Sequence, residues 1–175
     1  MNRNVITFGA VLLASSLIPT PNSTYANAIS ANQKVPKVIQ VAQSTAVNTN
    51  TIEQSILNQI NQYRASKGMS PLVRNTKIDE QARIHSKNMA EGKVPFGHQD
   101  FSNRVKSIGI SYNGAAENVA YNQGSQDPAT QAVQGWIKSQ GHRKNIEGNY
   151  SQTGIGVASN SKGEIYFTEI FINNK

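Results

Sequence analysis

The chain contains no cysteine. Disulfide staples, thiolate nucleophiles and cysteine-ligated metals are therefore excluded, so stability rests on packing and any metal must be held by His, Asp or Glu. Acidic residues are also scarce: 10 Asp and Glu stand against 17 Lys and Arg, a formal net charge of +7. That balance suits anionic surroundings such as cell-envelope polymers, lipid head groups or acidic glycans, and equally suits a merely solvated basic surface. No nucleic-acid partner is expected, because Arg83, Lys87, Lys93, Arg104, Lys106, Lys138, Arg143 and Lys144 are scattered, without a dense run or interleaved aromatics. Several signatures are missing as well. There is no His-Glu-x-x-His zinc helix, no phosphate-cradling glycine loop and no Gly-x-Ser-x-Gly nucleophile elbow. "YNQGSQD" lacks the acidic ligands of a calcium loop.

Long apolar runs are nearly absent too. The one candidate, "VITFGAVLLASSLI", follows Arg3 and precedes Ala26-Asn27-Ala28, a small-residue pattern before a signal-peptidase cut. It is shorter than the roughly 20 residues that cross a bilayer, and no second run follows. Residues 1–28 thus read as an export signal, and the mature chain has no transmembrane segment. The expected location is secreted, whether extracellular, periplasmic or cell-surface. Residues 29–50 are rich in Ser, Thr, Asn and Gln and read as a flexible linker, within which "VPKVIQVAQ" could pair as a strand. Residues 51–175 form one domain, since 175 residues with 37% hydrophobic content support a single core.

Within that domain, Ile52, Ile56, Ile60 and Tyr63 recur at helical spacing, with Thr51 and Gln54 as a capping box and Gly68 as the stop. A second helix is predicted from Lys77 to Glu91, capped by Thr76, with Ile78, Ala82, His85 and Met89 inward and His85 read as a satisfied core histidine. Asp100 caps a short helix carrying Phe101, Val105 and Ile108. "AENVAY" reads as a short strand. Asp127-Pro128 starts a helix that runs to about Ser139 and buries Ala129, Val133, Trp136 and Ile137. "TGIGVAS", a turn at "NSKG" and "EIYFTEIFI" form a β-hairpin. Helices precede strands instead of alternating with them, which indicates an α+β layered domain.

Three histidines, His85, His98 and His142, are available for chemistry. Periodicity alone assigns them no activity. However, "FGH" at 96–98, "AENVAY" at 116–121, Trp136, "SQGHRKNI" at 139–146, "TGIGV" at 153–157 and "YFTEIF" at 166–171 occur in the order found in the bacterial branch of the CAP superfamily. These are the cysteine-rich secretory, antigen 5 and pathogenesis-related 1 proteins, also called SCP-like. The likeness covers about residues 52–173 and includes "ARIHSKNM". It implies a three-layer α-β-α sandwich with a small, mainly antiparallel sheet and a central cleft where two histidines and one or two glutamates meet.

Carried over residue by residue, the likeness places His98, Glu117 and His142 in that cleft. The position of the family's second glutamate, after the helix tryptophan, is taken here by Ser139; Glu169 is a further candidate carboxylate. Gly97 and Ala116 replace the family's usual serine and glycine. Two neutral imidazoles and a carboxylate suit a divalent metal such as zinc with a position left open; no other cofactor is expected. Without metal, the same trio would serve proton transfer. A binding module that acts at or near the envelope is the leading expectation. A metal-assisted hydrolase or peptidase using His98, Glu117 and His142 is the second, and a lipid-binding protein the third.

Overall fold

The computed structural model of the chain describes residues 47–174. The export signal expected at 1–28, the strand candidate "VPKVIQVAQ" and most of the linker lie outside that range. Helix α1 spans Thr49–Ser66 and is followed by β1 (Val73–Arg74), α2 (Thr76–Ala90), α3 (Phe101–Ser107) and β2 (Tyr112–Gln123). Then come α4 (Pro128–Lys138), α5 (Gln140–Ile146), β3 (Gln152–Ser159) and β4 (Glu164–Asn174).

Helix starts follow side-chain capping, shifted slightly from the expected positions. Asn48, not Thr51, caps α1 by accepting from the Thr51 amide at 3.2 Å. Asn75, not Thr76, caps α2 through the Lys77 amide at 2.9 Å. Asp127 caps α4 as expected, with Pro128 in the first turn, where a missing N–H costs nothing. Asp100 precedes α3 in a left-handed conformation and makes no side-chain cap bond. No helix among the described residues is long and apolar enough to cross a membrane.

The described strands form one sheet of order β1-β3-β4-β2, in which only the β1–β3 pair is parallel. β3 and β4 are the expected hairpin. β2 is twice the length of the strand read in "AENVAY", because β4 offers a ladder along Tyr112–Gln123. Side chains alternate across the sheet. On one face Phe167 and Phe171 pack with Ile56, Ile60, Val133 and Trp136 of α1 and α4, and with Ile146 of α5. On the other, Ile170 and Ile172 pack with Ile78, Ala82 and Val105 of α2 and α3. The result is an α-β-α sandwich.

Gly154 and Gly156 of "TGIGV" explain how closely α2 approaches β3. A Cβ on Gly156 would stand 2.1 Å from the Arg83 amide nitrogen, and one on Gly154 2.3 Å from that of Asp79. The contact is locked by buried charge. Asp79 accepts from the Ile155 amide and pairs with Arg74, while Glu53 of α1 pairs with Arg74 and Arg83. One edge of the sheet, β2, carries no further strand among the described residues, and the expected site residues gather there.

Candidate functional site

Glu117 lies on β2 with its side chain 1% exposed, turned toward α3. The Arg104 guanidinium, itself buried, donates through Nη2 to both carboxylate oxygens, at 2.8 and 2.6 Å. His98, in the loop after α2, places Nδ1 2.9 Å from Glu117 Oε1 and keeps its side chain about half exposed. Glu117, held by Arg104 and able only to accept, takes the Nδ1–H of His98, so Nε2 is the ring nitrogen that this contact leaves over.

His85 holds the loop that presents His98. It is buried on α2 as expected and its Nε2 stands 2.7 Å from the Gly97 carbonyl, an acceptor that fixes Nε2–H as donor. Burial first, and then the nearby Arg104 charge, lower the His85 pKa, while the Gly97 bond opposes them; the ring is neutral at neutral pH. Gly97 itself has φ of 150°, a conformation that side chains disfavour, which gives a physical reason for glycine at this position.

His142 approaches from the other layer. It lies within α5. Burial, and then the charge of His98, push its pKa down. The two rings are thus electrical neighbours, and His142 is neutral at neutral pH. The β2 edge anchors α5. Asn118 donates to the His142 carbonyl at 3.1 Å, and Asn145 donates to the Glu117 carbonyl and to Asn118 Oδ1 at 3.2 and 2.9 Å.

A cavity of about 570 Å³ opens between β2 and α4, lined among others by Phe96, Tyr121, Trp136, Lys138, Ser139 and His142. His98 and Glu117 stand beside it instead of forming its wall. Ser139 faces it without a side-chain cap bond. Glu169 belongs elsewhere. It points to the α1 face, fully buried, with Thr153 Oγ1 3.3 Å from Oε1 and no partner for Oε2. Burial raises its pKa to about 8 against the opposing effects of the Thr153 bond and the Arg64 charge. Arg104 is the site residue that sequence reasoning missed, having been counted among scattered surface charges.

The donors present for a metal are the open Nε2 of His98 and the His142 ring. Among the described residues, no group of three or more His, Asp or Glu is placed to hold an ion.

Comparisons with known proteins agree with this architecture. Residues 57–171 match CAP, the cysteine-rich secretory protein family. YkwD, an uncharacterized protein of Bacillus subtilis (strain 168), is 35% identical over 146 residues, 75% of this chain and 54% of its own length. The crystal structure of an extracellular SCP-domain protein from Bacillus anthracis str. Ames superposes with a TM-score of 0.59 at 27% identity, covering 71% of this chain and 41% of that one. A cysteine-rich secretory protein from Staphylococcus aureus subsp. aureus Mu50 gives 0.59 at 22% identity, covering 73% and 40%. The chain therefore spans about half the length of the curated relative and less of the two solved ones. A family match over well over half of the sequence, on a sandwich with the expected layers, makes this chain a member of the CAP family.

Proposed function

We propose that this chain is an exported binding module whose His98 and His142 rings hold a divalent cation of the zinc type, with Glu117 acting from behind His98. The observation that carries the reading is the His98 Nδ1 to Glu117 contact, because a carboxylate only accepts there, so Nδ1 carries the proton and Nε2 is the ring nitrogen left for a cation, with the His142 imidazole as its electrical neighbour. Glu117, expected as a ligand, is assigned an orienting role because Arg104 already occupies both its oxygens. This is the carboxylate–histidine–metal arrangement, in which the carboxylate raises the basicity of the ligating ring. A cation there would supply a Lewis-acidic contact for an anionic or carbonyl group of a ligand in the adjoining cavity. Two protein donors imply modest affinity. The export signal expected at 1–28 and the net charge of +7 support action at or near an anionic cell envelope.

Zinc titrated calorimetrically into chelator-stripped protein tests the reading. We expect one saturable site, weakened at least about tenfold by His98→Ala and by His142→Ala. Heat no greater than that of buffer, or equal heat from all three proteins, overturns it.

A further inference from the structure

We propose that the cavity receives an extended, acidic peptide that adds as a short strand to the free edge of β2 at Tyr121. This deepens the binding-module reading and rests on it, but it does not need the metal.

The geometry of the edge carries the argument. Val119, Ala120, Tyr121 and Asn122 all line the cavity. Consecutive strand residues point to opposite faces, so a cavity that touches all of them lies against the strand's edge. The outward backbone groups can be identified from what caps them. The Glu117 carbonyl accepts from Asn145 and the Val119 carbonyl from Trp136 Nε1 at 3.0 Å. Carbonyls two residues apart point the same way, so the Tyr121 N–H and C=O face outward too. The helices plug the two earlier carbonyls and leave Tyr121 open, with the pair of bonds that an antiparallel strand exchanges with one residue.

The lining identifies the occupant. None of the cavity's lining side chains is acidic, whereas Lys138 supplies a positive charge and His142 a ring nitrogen. Phe96 and Tyr121, in edge-to-face contact with centroids 5.4 Å apart, are the exposed aromatics at its rim. Backbone pairing together with a cationic, aromatic wall suits a peptide that alternates small apolar and carboxylate side chains. A fatty acid would use the wall but not the Tyr121 amide.

The test uses a fluorescein-labelled hexapeptide of alternating valine and glutamate, added to the full chain in chelator so that zinc plays no part. Saturable anisotropy is expected, lowered at least about tenfold when the interior amides of the peptide are N-methylated. Gly135 lines the cavity and a Cβ there meets nothing within 4 Å, so Gly135→Leu fills the space while favouring the helix. This variant should block the peptide without lowering the Tm, and Lys138→Glu should weaken binding severalfold. Absence of binding, equal binding of the methylated peptide, or occupation by oleate alone overturns the strand-addition proposal. Since the zinc titration is separate, either proposal can fail while the other stands.

Discussion

Glu117 and Glu169 stand in neighbouring positions of the same sheet, Glu117 opposite Ile170 and Glu169 opposite Asn118, so their side chains leave opposite faces. Both are buried, but their surroundings differ. Glu117, on the edge strand, is reached by a guanidinium from α3 and an imidazole from the preceding loop. Glu169, on the central strand β4, is reached by one hydroxyl, and the Arg64 charge acts on it without a direct bond. A charge can be kept under cover where a sheet ends, because loops and short helices can bring partners to it. In the middle of the sheet the same side chain sits under a helix whose own polar groups are engaged, and burial wins. The edge is thus where this fold can keep a buried charge paired.

The largest effect expected from that contrast is on stability. Glu117→Ala strands the Arg104 guanidinium without its counter-charge and should cost about 3–5 kcal/mol in denaturant unfolding. Pairing Glu117→Leu with Arg104→Met should recover most of the loss, since both charges leave together. Glu169→Gln, by contrast, should be neutral or stabilising at alkaline pH. Equal losses at the two positions would erase the distinction.

Acidity sharpens the comparison next. Raised from 4.5 to about 8, Glu169 keeps in the folded state a proton that the unfolded chain releases. Its stabilising contribution is therefore complete below about pH 4.5, declines as pH rises and is lost by about 8, with a slope of up to about 1.4 kcal/mol per pH unit. His85 and His142 act in the opposite sense. Their lowered pKa values add stability above the ordinary value of 6.5 that is lost as pH falls below it. Unfolding measured from pH 5 to 9 should show both trends, and Glu169→Gln should leave the histidine rise followed by a plateau. An unchanged decline toward pH 8 in that variant would mean that Glu169 is not its source.

The sequence spoke clearly where one element could bury its own apolar side chains. Ile56 and Ile60 repeat at helical spacing, and the run from Glu164 is dense in β-branched and aromatic residues, so α1 and the β3–β4 hairpin were legible. α5 was not. Its seven residues contain Gly141 and bury one apolar side chain, Ile146, so no periodicity marks it. Polar bonds from Asn118 and Asn145 tie it to β2 instead. β1, two residues long, has no pattern to read at all. The same limit applies to the site. Motif order singled out His98, Glu117 and His142 but not Arg104, whose burial against a residue 13 positions away leaves no local trace. Glu169 could not be assigned a face because β4 is covered on both.

The smallest effect concerns Asn118, which separates the two carboxylates. It follows Glu117 in the chain, faces Glu169's side of the sheet and is fully buried. Its amide fastens the backbone of His142 and is fastened by Asn145. Asn118→Ala removes both bonds but leaves the Asn145 contact to the Glu117 carbonyl, so α5 should stay folded with its start loosened. A loss of about 1–2 kcal/mol is expected. Since α5 carries His142, zinc affinity should also fall severalfold while the His98 to Glu117 contact persists. Calorimetry of this variant beside Tyr63→Phe separates position from stability, because the Tyr63 hydroxyl bonds Glu147 just after α5 at 2.6 Å and its loss should leave the His142 carbonyl held. If both variants bind zinc as the parent does, Asn118 is a brace of the core alone, and the two imidazoles do not depend on the seam between β2 and α5 for their alignment.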